Sequence, residues 1–487
     1  MLYLPTPSNR GALLARPALD MLPTALNNTW YAVYGSNAPA GSDNLLWWLA
    51  AVARYCAYHG DDARALTQLL PALRGILSNS GLKNGTTDGL LHVESCLSPE
   101  YPMRRATDCS YDLAIFRWAA ETALALATAG APGDPALPTY ADIAARLAPL
   151  PVDSATGSYE VAAGLPFAVP HRHYSHLLGV YDLGLNEPPA TMAASLDVWW
   201  NITCAGPQAH GPDWNGDDEC RGFTQAAMAA MSNRLNRTEG ALGNLTSYLR
   251  LVGLPNGMYG EEVFVCFGAT ISAPPPIAHI LTPNPPTHRH HQQRYAGHPE
   301  EFSPVSESAY SAATSVYGML LGSFAEGGAG AGLLFNATAD GTWGVHVWPA
   351  APWSNASFFR LRAGGALLVS AVRQGGATAW VGVEADALAS GGAAGDAVPA
   401  FSLVCGDWAA LGAPLAVASA GGGVTATPVA GQPGRWLVAG LRRGAAAGFY
   451  PPGTSPAPDF VVREVAGRNV SEFNFWGSRF VYAGELP

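Results

Sequence analysis

The sequence predicts a mainly α N-terminal α/α toroid followed by an antiparallel β-sandwich. Three observations carry that prediction. Apolar helical runs follow one another in pairs, with little loop between partners, through residues 43–327. From about residue 328 they give way to short alternating or β-branched runs bounded by Gly and Pro. The chain of 487 residues is long enough for two domains with a sizeable core.

Residues 1–42 show no strong periodicity and read as a remnant or linker. The first helical run begins at Asp43 (DNLLWWLAAVARYCAYHG) and Gly60 closes it. A second spans 62–79, with Pro71 expected to kink it, since proline lacks the N–H and crowds the preceding turn. The third, 108–129, has Asp108 or Ser110 as N-cap candidates and Tyr111, Ile115, Trp118 and Thr122 along one face. Further helices are expected at 138–147, 190–200, 222–235, 238–252 and 308–325. Most are apolar all round, as an inner layer covered by an outer one must be. The insert 267–300 is rich in Pro and His; His288, His290 and His291 lack the acidic or Cys partner of a ligand set and read as a solvated loop. The domain boundary falls in Gly327–Gly332, and 328–487 holds the strand vocabulary GVHVWP, ALLVSAVR, TAWVGVEA, FSLVCG, GRWLVAGL and GFYPPG.

Composition narrows the partners. Only 13% of residues are charged and 48% are hydrophobic, so the chain can bury a core and is not disordered. With a net charge of −11 there is no basic stripe to neutralise phosphates, which argues against nucleic acid. No apolar run reaches the length of a membrane span, and the N-terminal apolar run is too short for a signal peptide. Yet Asn27, Asn84, Asn201, Asn236, Asn244, Asn336, Asn355 and Asn469 all begin N-x-S/T triplets, an excess that points to the secretory pathway or the extracellular space. The seven cysteines fit that compartment: Cys96 with Cys109, and Cys204 with Cys220, bracket loops that a disulfide would hold. Nothing in the sequence sets the oligomeric state.

Four polar clusters carry candidate chemistry. In Leu90–Asp112, Ser98-Pro99-Glu100-Tyr101-Pro102 fixes a carboxylate between two prolines and beside a ring. Such a setting raises a carboxyl pKa and suits a proton donor, although a solvated loop residue fits the same letters and Glu94, Asp108 and Asp112 compete for the role. His171-Arg172-His173-Tyr174-Ser175-His176 opens an apolar run, where its donors would suit sugar hydroxyls or a carboxylate; a helix start with its own hydrogen-bonded histidines is equally consistent. No G-x-S-x-G elbow accompanies Ser175 and His176, which removes the hydrolase-triad reading. Asn256–Glu262 offers Tyr259 as a platform and Glu261 as a further carboxylate. Glu307 precedes the apolar run Ser308–Leu321, a position that stabilises a carboxylate anion and suits a base.

An acid, a base and an Arg/His cluster on a toroid fit inverting glycoside hydrolysis. GLLHVESCLSPEYP with DCSYDLAIFRW, then HRHYSHLLGVYDL, NGMYGEE and ESAYSAATSVYGMLL resemble, in that order, the catalytic domain of glycoside hydrolase family 95. The segment FFRLRAGGALLVSAVRQGGATAWV resembles the stretch C-terminal to that domain; the likeness runs from about Asp43 to Cys405 and is greatest to uncharacterised family-95-like proteins. The resemblance implies a six-hairpin toroid, an exo-acting enzyme on terminal α-L-fucosyl or α-L-galactosyl residues, and a carbohydrate substrate with no metal or cofactor. It makes Glu100 the general acid and gives Arg172 and His173 to the sugar, with His171, His176, Tyr101, Asp112, Tyr259 and Glu261 around it. Glu307 stands where the fucosidases have an Asp that supports the base, one methylene longer. The family's N-terminal sandwich and Asn-rich water-positioning motif precede the toroid. Asn27, Asn28 and Asn44 do not reproduce that motif, so a truncated toroid and an inactive remnant are further expectations. A polysaccharide lyase on the same fold would need a basic cleft, which 26 Lys and Arg do not favour.

Overall fold

The computed structural model describes residues 42–98, 101–181, 183–185, 187–205, 220, 222–235, 237–247, 344–348, 354–386, 395–419 and 422–454. These fall into two units by contact. One holds the described residues up to Pro166, Ser175–Ser195 and the whole strand-rich region, and the other holds Phe167–Tyr174 with the residues from Leu196 to 247. The boundary at Gly327–Gly332, the insert 267–300 and the helix expected at 308–325 lie outside the described residues.

The first unit begins with α1 (Ser42–His59). It ends where the sequence predicts: Gly60 takes φ +61°, and the Asp61 N–H reaches back to the Cys56 carbonyl at 3.0 Å, a Schellman closure that favours glycine. Asp61 then caps α2 (Asp62–Arg64), its carboxylate accepting from the Arg64 N–H at 3.1 Å. The effect expected of Pro71 takes a particular form. Ala65–Leu69 is a π-helical turn, in which the Leu70 N–H bonds the Ala65 carbonyl, and α3 (Leu70–Leu77) resumes with the proline at its start. Widening the turn ahead of a residue that cannot donate spares the helix a full break.

Helix α4 (Ser110–Gly130) is the hub of this unit, packing on α1, α3 and α5 (Leu137–Arg146) and on the short α6 (Leu178–Tyr181). Tyr111, Ile115, Trp118 and Thr122 are all buried, and so are Leu113, Ala119 and Leu126 on other faces, as a helix apolar all round requires. Its N-cap corrects the sequence expectation. Cys109 occupies that place, because Asp108 is held elsewhere by His92 and the Ser110 hydroxyl donates to the Glu160 carbonyl at 2.6 Å. Beyond it run α7 (Pro189–Trp200), a π turn at Asn201–Ala205, α8 (Gly222–Arg234) and α9 (Thr238–Ser247).

A small hairpin, β1 (Lys83–Asn84) with β2 (Leu91–His92), precedes α4. The strand-rich region comprises β3 (Gly344–Val347), β4 (Ala356–Ala363), β5 (Leu367–Gln374), β6 (Ala377–Ala385), β7 (Phe401–Cys405), β8 (Ala416–Ser419), β9 (Thr425–Pro428), β10 (Arg435–Ala439) and β11 (Ala446–Tyr450). They form two sheets, ordered β3-β7-β10-β9 and β4-β5-β6-β11-β8. Val345, Leu403, Trp436 and Val438 from one sheet share a core with Val369, Val381, Val383 and Phe449 from the other. Strands β4, β8 and β9 fall outside the runs that the sequence predicts. The expectation of an antiparallel sandwich needs one correction, since β3 pairs parallel to β7. The chain between them passes through β4–β6 in the other sheet, and that crossover permits a parallel return. Gly375 and Gly376, with φ of 57° and 84°, make the two-residue turn between β5 and β6.

The sandwich meets α1 at Arg362 of β4. Its guanidinium donates to the Tyr58 carbonyl at 3.3 Å, at the negative end of α1, and pairs with Asp386.

Candidate active site

The site begins from the loop between β2 and α4, and that loop is braced on both flanks. Cys96 and Cys109 form a disulfide, and Cys96 and Ala106 exchange both backbone hydrogen bonds at 2.9 and 3.0 Å. Asp108, in a left-handed backbone conformation at φ +54°, donates its N–H to the Val93 carbonyl at 2.8 Å and accepts the Val93 N–H on its carboxylate at 2.9 Å. The other carboxylate oxygen lies 2.6 Å from His92 Nδ1, and Asp88 lies 3.0 Å from Nε2. The Asp108 hydrogen bond raises the His92 pKa above its ordinary value, with the charge of Asp108 and the Asp88 contact adding to it against partial desolvation. Asp108 therefore helps to hold this loop in shape.

Within the braces, Ser98 is fixed through its N–H, carbonyl and hydroxyl. Its N–H points at Met103 Sδ (3.3 Å) and its carbonyl accepts the Tyr101 N–H (3.3 Å). Its hydroxyl lies 2.5 Å from the Ser175 hydroxyl, and both serines are buried. Ser98 and Ser175, far apart in the chain and both in the first unit, thus touch through a pair of hydroxyls. Tyr101 is buried, as is Asp112 in the first turn of α4. Glu100 itself lies outside the described residues, and so do Tyr259, Glu261 and Glu307.

The Arg/His cluster divides at Tyr174. In the second unit His171 is buried and stacks on His173 with ring centroids 4.9 Å apart. Its backbone is anchored: the carbonyl accepts Trp199 Nε1–H at 2.8 Å and the Thr203 hydroxyl at 3.3 Å. Tyr174 packs edge-on against Trp199 at 5.5 Å. Arg172 and His173 are half-buried. In the first unit Ser175-His176-Leu177 forms a buried 3-10 turn leading into α6.

A second disulfide, Cys204–Cys220, ties the end of the π turn to the start of α8. Both bracketing pairs named from the sequence are therefore bonded, while Cys56 and Cys405 are buried free thiols, each with its pKa pushed up to about 12 chiefly by burial. Cys96, Cys109 and Asp112 gather two sulfurs and a carboxylate oxygen within 4.8 Å, but both sulfurs are consumed by the disulfide, so the group offers no thiolate to a metal. Sequence reasoning missed His92. The cue was its spacing of four from Asp88 in a short hairpin, opposite a lone Asp just ahead of a helix.

No family model matches the chain, and no curated protein matches it. Among solved structures it is similar to "Putative kojibiose phosphorylase from human microbiome", with 9% identity and a TM-score of 0.41. That likeness covers 83% of this chain and 50% of that one, so the chain spans about half of that protein's length. At this identity and score the likeness carries no argument about fold or chemistry.

Proposed function

We propose that the chain is an inverting exo-glycosidase of family-95 type, acting on terminal α-L-fucosyl or α-L-galactosyl residues through an α/α toroid. The observation that carries the reading is the hydroxyl contact between Ser98 and Ser175. Ser98 of SPEY and Ser175 of HRHYSHL, both in the first unit, are joined directly through buried side chains, which supports a reading that uses both segments. In this reading Glu100 donates its proton to the glycosidic oxygen as the C1–O bond breaks. Glu307 takes part in deprotonating the water that attacks C1 from the opposite face, so the sugar leaves with inverted configuration. Arg172 and His173 hold the sugar hydroxyls in this reading, with His171 stacked on His173, and Tyr101 and Asp112, both buried, are further candidates for substrate contact. Tyr259 and Glu261 complete the rim.

A secretory-pathway setting belongs to the same reading. It draws support from the two disulfides and the eight N-x-S/T triplets.

The test is to incubate the chain with p-nitrophenyl α-L-fucoside and α-L-galactoside and follow the released sugar by proton NMR. The reading predicts that the β anomer appears first. Release of the α anomer, or release of neither sugar, contradicts it.

A further inference from the structure

The geometry points to Asn84 and Asn355 as N-glycan attachment sites, and marks Asn244, which begins the same kind of triplet, as a site that stays bare. The inference rests on the secretory reading above. In the transfer, Asn Nδ2 attacks C1 of a lipid-pyrophosphate-linked oligosaccharide. The N–C1 bond forms, the C1–O bond breaks, the lipid pyrophosphate leaves with the electron pair, and one Nδ2 proton is lost. The folded product must then present Nδ2 to solvent with room for a bulky sugar.

Asn84 is exposed in β1, and Thr86, which completes its triplet, is exposed too. The guanidinium of Arg146 donates to Asn84 Oδ1 at 2.9 Å. Arginine has donors only, so the oxygen is the end that faces it and the nitrogen is the end left over. Asn355 repeats the arrangement in a different setting. It is exposed ahead of β4, its Oδ1 accepts the Gly375 N–H at 3.0 Å, and Ser357 is exposed. At neither residue does Nδ2 make a hydrogen bond among the described residues.

Asn244 is the reverse case. It is 9% exposed within α9, and its Nδ2 is the engaged end, donating to the Gly240 carbonyl at 2.8 Å. A glycan there would compete with that bond for room around Nδ2 and have to pass through packed surface. Asn201 is exposed, but the hydroxyl of its Thr203 is fully buried against the His171 backbone, and it is left out of the assignment.

The experiment is peptide mapping of the chain from its natural source after peptide-N-glycosidase treatment in heavy-oxygen water, which marks each formerly glycosylated Asn. Marks at 84 and 355 and none at 244 are expected. A mark at 244, or marks at other triplets with 84 and 355 bare, overturns the inference. If every triplet is bare, the secretory reading fails, and the site selection is judged separately. For that, the chain is secreted from eukaryotic cells behind an added leader. Asn84→Gln and Asn355→Gln should each remove one glycan's mass and Asn244→Gln none; any other pattern overturns the assignment.

Discussion

Ser98 Oγ and Ser175 Oγ lie 2.5 Å apart with both residues buried, linking the loop ahead of α4 to the turn that starts α6. Among the described residues each hydroxyl is the other's partner, so removing one leaves the other buried without that bond. Ser175→Ala should therefore destabilise the chain by about 1–3 kcal/mol, the cost of an unsatisfied buried hydroxyl. Replacing both serines by alanine should cost less than the sum of the single changes. Urea melts of the two single variants and the double variant measure this; strict additivity would mean the contact contributes nothing.

His92 should titrate above the ordinary histidine range, because Asp108 hydrogen-bonds its Nδ1 and favours the protonated ring. Asp108→Asn should bring that midpoint down, with Asp88 still at Nε2. The linkage has a definite sign. A raised folded-state pKa contributes stability that is complete below the unfolded value near 6.5 and is lost as pH rises through the folded midpoint. NMR titration of the His92 ring reads the midpoint. A value at or below 6.5 in the wild type would contradict the pairing.

The Cys96–Cys109 disulfide closes a short loop, with the two positions 13 apart in sequence. Loops of this size give about 3 kcal/mol in the chain-entropy account. Cys96→Ser with Cys109→Ser should lower stability by about that much, and on the proposed function should cut turnover more than it raises KM, since the loop bears Glu100. Thermal melts together with steady-state kinetics separate the two effects. Unchanged stability and turnover would show that the backbone pairing of Cys96 with Ala106 suffices.

Asp407 ties the two sheets together. It accepts Arg373 through both carboxylate oxygens at 2.9 and 3.0 Å and the Thr378 hydroxyl at 2.6 Å, while Trp408 Nε1–H donates to the Thr378 carbonyl. Asp407→Ala removes the carboxylate from a mostly buried guanidinium and should cost up to about 3–5 kcal/mol. Asp407→Asn, which keeps one acceptor, should cost less. Denaturant unfolding of both variants tests the order, and equal losses would contradict it.

Local pattern made much of this architecture legible. The end of α1 at Gly60, the hub helix α4 and six of the strands follow from periodicity and from Gly and Pro placement, which act within a few residues. Strand β4 escaped notice because FFRLR lies in a run with no clean alternation, and its pairing to β5 shifts register between Phe358 and Leu361. The Asp108 cap failed for a different reason. A capping side chain is read as local, but this one is claimed by His92, sixteen positions away in sequence. The Ser98–Ser175 contact had no sequence cue either, since two serines 77 residues apart carry no pattern. Its motifs were legible, their meeting was not.

The central claim is that Glu100 is the proton donor to the glycosidic oxygen. The most direct measurement compares wild type with Glu100→Gln on two fucosides, one with a sugar leaving group and one with p-nitrophenol, which leaves with little need of a proton. The account predicts a loss of about 10²–10⁴-fold on the sugar-linked substrate, the usual worth of a general acid, and a much smaller loss on the nitrophenyl one. Equal losses on both, or no loss on either, would contradict it.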